Sequence, residues 1–208
     1  MPTSPNFSNR ANDPFVTIIH YDGSPIGRAA VSWMCNPVSR VSAHAHIDRD
    51  GTVTELVPWT KTAWHAGVAA IRLNGVLYQD INGIAIGIEL ANIGKLKQYN
   101  GRYYYTVYDA ARGVNIDREW HGTIPTPATL TYSTGLISTG LWEPFPDVQI
   151  QALTAYLAKI RAAGHVDAAT NLYGHDEIAL PVGRKSDPGP VFSWDRLTRR
   201  AARTVQST

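Results

Sequence analysis

The sequence predicts a single α/β domain with a central mixed β-sheet flanked by helices. Three segments support this prediction: the β-branched run Val16–His20, the almost wholly apolar run Ile84–Leu90 and the helical pattern that follows Asp147. Apolar strands that alternate with helices are typical of sheets covered on both faces. A chain of 208 residues is also long enough to bury roughly 70% of its unfolded surface around one core.

The first predicted elements are a strand and a helix. Val16–His20 is short and ends on a polar residue, which indicates a buried strand that emerges at the rim of the sheet. Residues Ile26–Met34 predict a short helix, because the Asn36–Pro37 pair disfavours helical backbone beyond it. Residues 1–15 are expected to form an N-terminal extension.

A hairpin is predicted next. Val41–Ile47 alternates strictly, so its apolar residues face one way while His44 and His46 face the other. Asp50–Gly51 makes a turn, and Thr52–Val57 returns as the partner strand. Two histidines on one strand face could bind a metal. We favour the simpler interpretation, in which this polar face lines a groove or meets solvent.

The later regular elements are a central strand and a helix. Ile84–Leu90 carries one carboxylate, Glu89, among residues that indicate burial on both faces. Asp147 is expected to cap a helix that ends at Gly164. The predicted apolar stripe of this helix consists of Ile150, Leu153, Leu157 and Ile160.

The segment Lys95–Pro146 shows no clear hydrophobic period and is rich in Tyr, Thr, Gly and Pro. We therefore expect a long insertion without regular structure, of the kind that is functional or mobile. Its aromatic residues fit a lid over a groove or a subunit contact, and they fit equally well a small satellite core under a long loop. These residues are Tyr99, Tyr103, Tyr104, Tyr105, Tyr108 and Trp120.

Composition and charge exclude several classes of protein. The formal net charge of +2 is too small to indicate nucleic-acid binding. We expect no membrane span, because no run approaches the ~20 apolar residues that one requires. We also expect no secretory signal and synthesis in the cytoplasm, because Met1–Asn12 lacks an apolar stretch. The single cysteine, Cys35, precludes an internal disulfide.

The C-terminal tail, residues 198–208 with the residues just before it, is basic. It is predicted to be the solvated end of a last helix, and contact with an anionic cell envelope is the alternative. The arginines concerned are Arg196, Arg199, Arg200 and Arg203.

Three features point to chemistry. His20 lies at the end of a predicted buried strand, and His175 follows Leu172 in a turn. Asp187 and Lys185 lie in a loop made rigid by two prolines. Two imidazoles and one carboxylate are the protein ligands of an open catalytic zinc site. Taken singly, each histidine would be an ordinary hydrogen-bonded residue and the aspartate a turn former; their joint occurrence favours a metal site.

The chain resembles the type-2 N-acetylmuramoyl-L-alanine amidases. The matching segments, in chain order, are Ile18–Tyr21 (IIHY), Val41–His44 (VSAH) with Asp48–Gly51 (DRDG), Ala63–Gly67 (AWHAG), Ile86–Leu90 (IGIEL), Tyr173–His175 (YGH) and Arg184–Pro190 (RKSDPGP) with Phe192 and Trp194. Six segments in the family's order cover the chain from near residue 18 to near residue 197, apart from the insertion.

The resemblance implies roles for individual residues. It implies one zinc ion per chain, held by His20, His175 and Asp187, with Glu89 as the carboxylate that activates water. It also implies that Lys185 stabilises the oxyanion. The residues expected to bind substrate or to support the zinc ligands are Trp64, His65 and His44. The implied reaction is hydrolysis of the amide between N-acetylmuramic acid and L-alanine in peptidoglycan.

Two other functions stay open at this point. Some members of the family bind peptidoglycan without cutting it, although the complete ligand set argues for an enzyme here. A zinc peptidase is the second alternative, but the chain has no His-Glu-x-x-His motif. The sequence does not predict an oligomeric state. A phage-type endolysin acting on the cell wall is the favoured setting, by analogy alone.

Overall fold

The structure is a computed structural model that describes residues 3–109 and 111–197. Its elements, numbered in chain order, are β1 (Phe7–Asn9), β2 (Val16–Tyr21), α1 (Gly27–Met34), β3 (Ala45–Ile47), β4 (Val53–Glu55), β5 (Lys61–Ala63), β6 (Ile71–Leu73), β7 (Val76–Tyr78), α2 (Ile81–Ile84), β8 (Ala85–Leu90), β9 (Lys95–Tyr99), β10 (Arg102–Asp109), β11 (Val114–Trp120), β12 (Thr126–Thr131), β13 (Ile137–Trp142), α3 (Asp147–Ala162), β14 (Leu172–Gly174) and α4 (His175–Ile178). A single 3₁₀ turn follows at Trp194–Arg196. This architecture confirms the predicted α/β fold with a central mixed sheet.

The central sheet has the strand order β14-β2-β8-β3-β4. Its first four strands are parallel, and β4 pairs antiparallel with β3. The carboxyl ends of parallel strands meet at one edge of a sheet, which is where open α/β sheets place their ligands. His20 and Glu89 lie near the ends of β2 and β8, and His175 directly follows β14. The topology therefore brings these three residues to the same edge.

The long helix α3 packs one side of this sheet. The predicted stripe of Ile150, Leu153, Leu157 and Ile160 is buried in one cluster with Ile19, Ile86 and Ile88 of the strands. Gly164 adopts a φ of +98°, the backbone conformation that ends helices and favours glycine. The capping role predicted for Asp147 is wrong: Pro146 occupies the N-cap position, and the Asp147 carboxylate in the first turn accepts a hydrogen bond from Arg196 instead.

The N-terminal segment is an integral part of the fold. Strand β1 pairs antiparallel with β5. The Asn6 side chain is buried and donates to the carbonyls of Met34, Asn36 and Val41. The Arg10 guanidinium donates to three further backbone carbonyls, and burial lowers its pKa to about 10. Residues 3–10 therefore fasten the loops around α1 to the sheet.

The predicted hairpin is present, but its two histidines are more buried than predicted. Only Ala45–Ile47 of the predicted strand Val41–Ile47 forms a strand, and it pairs with β4 through Ala45↔Glu55 and Ile47↔Val53. His44 and His46 are 0% and 1% exposed. The expected solvated face is therefore wrong: His46 Nε2 lies 2.9 Å from Asp22 Oδ2, and the ring nitrogens of His44 contact backbone groups of Lys61 and Gly87.

The segment Lys95–Pro146 contains a second sheet instead of the irregular insertion that we predicted. Five antiparallel strands run in the order β11-β10-β9-β13-β12. Much of this sheet is exposed on both faces, so its strands carry no strict alternation of apolar and polar residues. Trp142 and Leu130 are buried and anchor β12 and β13 against Tyr21, Val182 and Val191.

In the described part of the chain no helix is both long enough and apolar enough to cross a membrane. The predicted last helix with its basic residues falls mainly on residues 198–208, which lie outside the described residues. Arg196, the one tail arginine that is described, sits in the 3₁₀ turn and pairs with Asp147.

Candidate metal centre and active site

Three ligand atoms converge at the edge of the central sheet. His20 Nδ1 lies 3.0 Å from His175 Nδ1 and 3.1 Å from Asp187 Oδ2, and His175 Nδ1 lies 3.0 Å from the same carboxylate oxygen. All three side chains are buried. The loop that carries Asp187 is tied to α4, because the Asp176 N–H donates to the Asp187 carbonyl over 2.8 Å.

Hydrogen bonds on the far side of each ring orient the two imidazoles. His175 Nε2 donates to the Ala66 carbonyl over 3.0 Å, and His20 Nε2 lies 3.0 Å from His65 Nδ1. A neutral imidazole that carries its proton on Nε2 offers a lone pair on Nδ1. Both Nδ1 atoms and the carboxylate then present lone pairs to one point. These three atoms together fit a divalent cation. The hydrogen bonds of the two Nε2 atoms fix the orientation of each ring, as is common for histidines that bind metals.

Burial keeps the ligands in the protonation states that bind metal. It lowers the pKa of His20 to about 4 and that of the neighbouring His65 well below its usual value. Burial alone would raise the pKa of Asp187, but hydrogen bonds with the Nδ1 atoms of His175 and His20 hold that pKa well below its usual range, and a cation bound between the three atoms would take the place of these hydrogen bonds. At neutral pH the imidazole of His20 is therefore neutral and the carboxylate is ionised.

Glu89 lies beside this cluster. Its Oε2 is buried and has no hydrogen-bond partner, a costly arrangement in a folded protein unless a ligand completes it. Burial first, and then the negative charges of Asp187 and Asp22, raise the pKa of Glu89 well above its usual value. The carboxylate therefore has a higher proton affinity than that of an exposed glutamate.

The cluster opens into a cleft of about 410 Å³. Its floor contains the three ligand residues and Glu89, and its walls contain the predicted site residues Lys185, Trp64 and His65. The structure therefore brings together seven of the eight residues singled out in the sequence. His65 lines the cleft and also contacts a ligand imidazole, so it can support His20 and meet substrate.

His44, the eighth predicted residue, does not reach the cleft. It is 0% exposed, and burial lowers its pKa to about 3. Its Nδ1 accepts from the Gly87 N–H and its Nε2 donates to the Lys61 carbonyl. Direct contact of His44 with substrate is therefore wrong, because its ring is buried and both ring nitrogens are used to join strands β8 and β5. The ring centroid lies 6.1 Å from that of His65, and the supporting role expected for His44 stays a prediction.

Helix α1 adds cleft residues that sequence reasoning missed. Trp33 lines the cleft and is 54% exposed, and Ala29 and Ala30 lie next to it along the same wall. Only the direction in which α1 packs turns this tryptophan toward the cleft. The sequence offered no signal for Trp33, because its exposure and the burial of Gly27 and Met34 follow from the packing of α1.

Comparisons with known proteins show the family of the chain. Residues 10–190 match the family described as N-acetylmuramoyl-L-alanine amidase. The chain is 28% identical to the 1,6-anhydro-N-acetylmuramyl-L-alanine amidase AmpD of Escherichia coli K12, over 93% of this chain and 87% of that protein. It is 30% identical to the N-acetylmuramoyl-L-alanine amidase AmiD of the same organism, over 71% of this chain and 37% of that protein.

Solved structures show the same fold. A crystal structure of an AmpD derivative has a TM-score of 0.53 and 25% identity, and it covers 93% of this chain and 89% of its own. E. coli AmiD, solved with the substrate anhydro-N-acetylmuramic acid-L-Ala-D-gamma-Glu-L-Lys, has a TM-score of 0.60 at 24% identity over 89% of this chain and 56% of its own. The resemblance and the enzyme class inferred from the sequence are thereby confirmed: the chain belongs to the N-acetylmuramoyl-L-alanine amidase family.

Proposed function

We propose that the protein is a zinc-dependent hydrolase that cleaves the amide between N-acetylmuramic acid and L-alanine in peptidoglycan. The observation that carries the proposal is the convergence of His20 Nδ1, His175 Nδ1 and Asp187 Oδ2 within 3.0–3.1 Å of one another, in the same cleft as Glu89. Family membership and the names of the relatives support the choice of bond.

The donor set fits zinc in a catalytic site. Two imidazoles and one carboxylate leave one tetrahedral position for a reactant, whereas structural zinc sites close all four positions and commonly use cysteines. The one cysteine of the chain, Cys35, is not among the residues that line the cleft. When bound, zinc supplies Lewis acidity that activates water and polarises the carbonyl of the substrate.

Glu89 moves the proton. Its buried, unpartnered Oε2 accepts a proton from the attacking water and later delivers it to the alanine nitrogen. Water adds to the lactyl carbonyl carbon, the C–N bond breaks, and the products are a free muramic carboxylate and a peptide with a new amino terminus. Burial raises the proton affinity of Glu89, and the charge of a zinc ion bound beside it would keep the carboxylate ionised and ready to accept the first proton.

Lys185 lies in the wall of the cleft, two residues before Asp187. Its ammonium can stabilise the negative charge that develops on the carbonyl oxygen as water adds. Trp64 and Trp33 supply apolar surface in the walls for the substrate. A cleft of this size holds a portion of substrate comparable to one muramoyl unit with the start of its peptide.

Digestion of purified cell walls tests the proposal. An amidase releases peptides that begin with L-alanine and creates no new glycan reducing ends. A recognition module would sediment with the walls and release nothing, and a zinc peptidase would create amino termini within the stem peptide. Either of those two results would refute the proposed function, and Glu89→Gln is the matched inactive variant for every assay.

The biological setting is a narrower proposal. The phage-type endolysin favoured by the sequence predicts rapid release of peptide from intact sacculi. Relatives named for 1,6-anhydro substrates suggest soluble anhydromuramyl peptides as the alternative substrate. Rates on the two substrates, measured side by side, distinguish these settings: a preference for the soluble fragment would refute the endolysin role while leaving the amidase activity intact.

A further inference from the structure

The second sheet has two different faces in its outer strands. On one face, oppositely charged side chains pair across neighbouring strands, as in Lys97–Asp117 and Arg102–Glu119. The other face carries Tyr103, Tyr105 and Trp120 together with Arg118, and we call it the aromatic face; the face with the ion pairs also carries tyrosines, namely Tyr99, Tyr104 and Tyr108. Tyr103 lies directly opposite Trp120 in the β10–β11 ladder. The Tyr105 ring packs edge-on against the indole of Trp120, with 6.2 Å between the ring centroids.

The aromatic face is unusual because it covers no core. An antiparallel sheet with one solvated face commonly packs its other face on a hydrophobic core. In the described part of the chain, Tyr103, Tyr105 and Trp120 belong to none of the four buried apolar clusters, and each is partly exposed. Aromatic side chains held in this way on a rigid strand pair are available to a ligand.

A continuous path joins the aromatic face to the cleft. The guanidinium of Arg49 stacks on the Trp120 ring at 5.5 Å from its centroid. The same guanidinium donates to the carbonyl of Ser24, and Ser24 lines the cleft. Glu143 fixes the Arg49 side chain through a two-oxygen ion pair at 2.7 and 2.9 Å. A single side chain, that of Arg49, therefore lies between Trp120 and the wall of the proposed active site.

We propose that the aromatic face is a glycan subsite, which holds the sugars next to the muramoyl unit being cleaved. This inference rests on the proposed function, since the cleft of about 410 Å³ has room for the scissile unit but not for a long strand. Pyranose rings present a face of C–H groups that packs on aromatic rings, while tyrosine hydroxyls and Arg49 can bond to sugar hydroxyls. Tyrosines lie on both faces of the sheet, and the contact between Trp120 and Arg49 is what places the aromatic face on the path to the cleft.

A comparison of two substrates tests the subsite. One is a single N-acetylmuramoyl peptide, and the other is a set of solubilised glycan strands of many disaccharides that keep their peptides. Trp120→Ala is expected to raise KM on the long strands about tenfold, the loss of an aromatic contact of ordinary strength, without changing KM or kcat on the monomer. Tyr105→Ala removes the neighbouring ring, leaves the Arg49–Trp120 stack in place and should act in the same direction.

Tyr108→Ala is the matched control. It removes one tyrosine from the same strand β10, but Tyr108 alternates to the charged face and is 67% exposed. This variant should equal the unmodified protein on both substrates. Equal effects of Trp120→Ala on the two substrates, or none on the strands, would overturn the subsite.

Direct binding separates the subsite from the proposed function. Isothermal titration with peptide-free glycan strands should show binding by the unmodified protein and by Tyr108→Ala, and weakened binding by Trp120→Ala. This result would stand even if neither substrate were cleaved, in which case the amidase proposal alone would fail. Absence of glycan binding, or a loss of self-association in Trp120→Ala measured by analytical ultracentrifugation, would instead identify the aromatic face as something other than a sugar site.

Discussion

His20 and Glu89 are register partners on the adjacent parallel strands β2 and β8. Side chains of paired residues leave the same face of a sheet, so the ligand imidazole and the carboxylate reach the cleft side by side. The ladder of backbone hydrogen bonds thus positions Glu89 relative to the metal centre. The side chain needs no hydrogen bond to hold it there, and its Oε2 stays free for the reaction.

Glu89→Gln is expected to reduce hydrolysis by about 10²- to 10⁴-fold, because an amide cannot accept the proton of the attacking water. Zinc content should stay near one per chain, since Glu89 is not among the three clustered ligands. The rate is measured as new amino termini from a defined muropeptide, and the metal by mass spectrometry. Glu119→Gln makes the same change in the second sheet and should retain full activity. Turnover preserved in the Glu89 variant would refute the proton-transfer role.

Removal of zinc should stop the reaction and destabilise the fold. A strong chelator is expected to abolish activity and to lower the melting temperature, because an ion that binds only the folded state stabilises it. Added zinc should restore both. In His20→Ala the chelator should cause a much smaller shift in melting temperature. Activity that is indifferent to the chelator would exclude the metal mechanism.

The cluster of His20, His175 and Asp187 was predictable because the chemistry of a metal site restricts the residue types. His20 and His175 follow predicted strands and Asp187 lies in a rigid loop, and parallel strands bring such ends together. The apolar sequence around Glu89 likewise indicated its burial. The local patterns made these residues candidates, and the resemblance to the amidases implied the role of each.

The second sheet was not predictable on the same grounds. Strand β10 (RYYYTVYD) places tyrosines on both of its faces, as Tyr103 and Tyr104 show, so the period-two signal is absent. The prediction for His44 was wrong for a different reason. Alternation gave the side of the strand on which His44 lies, but the burial of that side is seen only in the structure. Trp33 needed the packing direction of α1.

His65→Ala is expected to lower zinc affinity by about 10- to 100-fold, the usual effect of losing a residue that orients a metal ligand. The His65 ring is the partner of His20 Nε2 at 3.0 Å. Competition with a chromophoric chelator measures the affinity. Trp64→Ala changes the adjacent cleft residue and should raise KM while zinc affinity is unaltered. An unchanged zinc affinity in the His65 variant would show that its role is confined to substrate.

Lys185→Ala is expected to lower kcat by about 10²- to 10³-fold, as the loss of an oxyanion-stabilising donor does in other hydrolases. KM and zinc content should change little, because the charge on the carbonyl oxygen develops only in the transition state. Lys97→Ala removes a lysine of the second sheet and is the control. An effect of Lys185→Ala confined to KM would assign the lysine to ground-state binding.

Removing one partner of the ion pair between Arg49 and Glu143 should destabilise the protein far more than removing one partner of the exposed pair between Lys159 and Glu55. Glu143 is 1% exposed, and the Arg49 side chain 22%. Loss of one partner of a buried pair costs about 3–5 kcal/mol, because the remaining charge stays desolvated. Glu143→Ala should therefore reduce the free energy of unfolding by this amount, measured from urea denaturation.

Glu55→Ala is the matched comparison for Glu143→Ala. Glu55 pairs with Lys159, and both side chains are about half exposed (44% and 57%). Such a surface pair contributes at most about 1 kcal/mol. The double variant Arg49→Ala/Glu143→Ala should be less destabilised than the sum of its single variants, because neither charge is then left alone. Because Arg49 also holds the Ser24 and Pro25 carbonyls at the cleft, Glu143→Ala should raise KM as well. Equal losses in the two glutamate variants, or additivity in the double variant, would show that the Arg49–Glu143 pair acts as an ordinary surface contact.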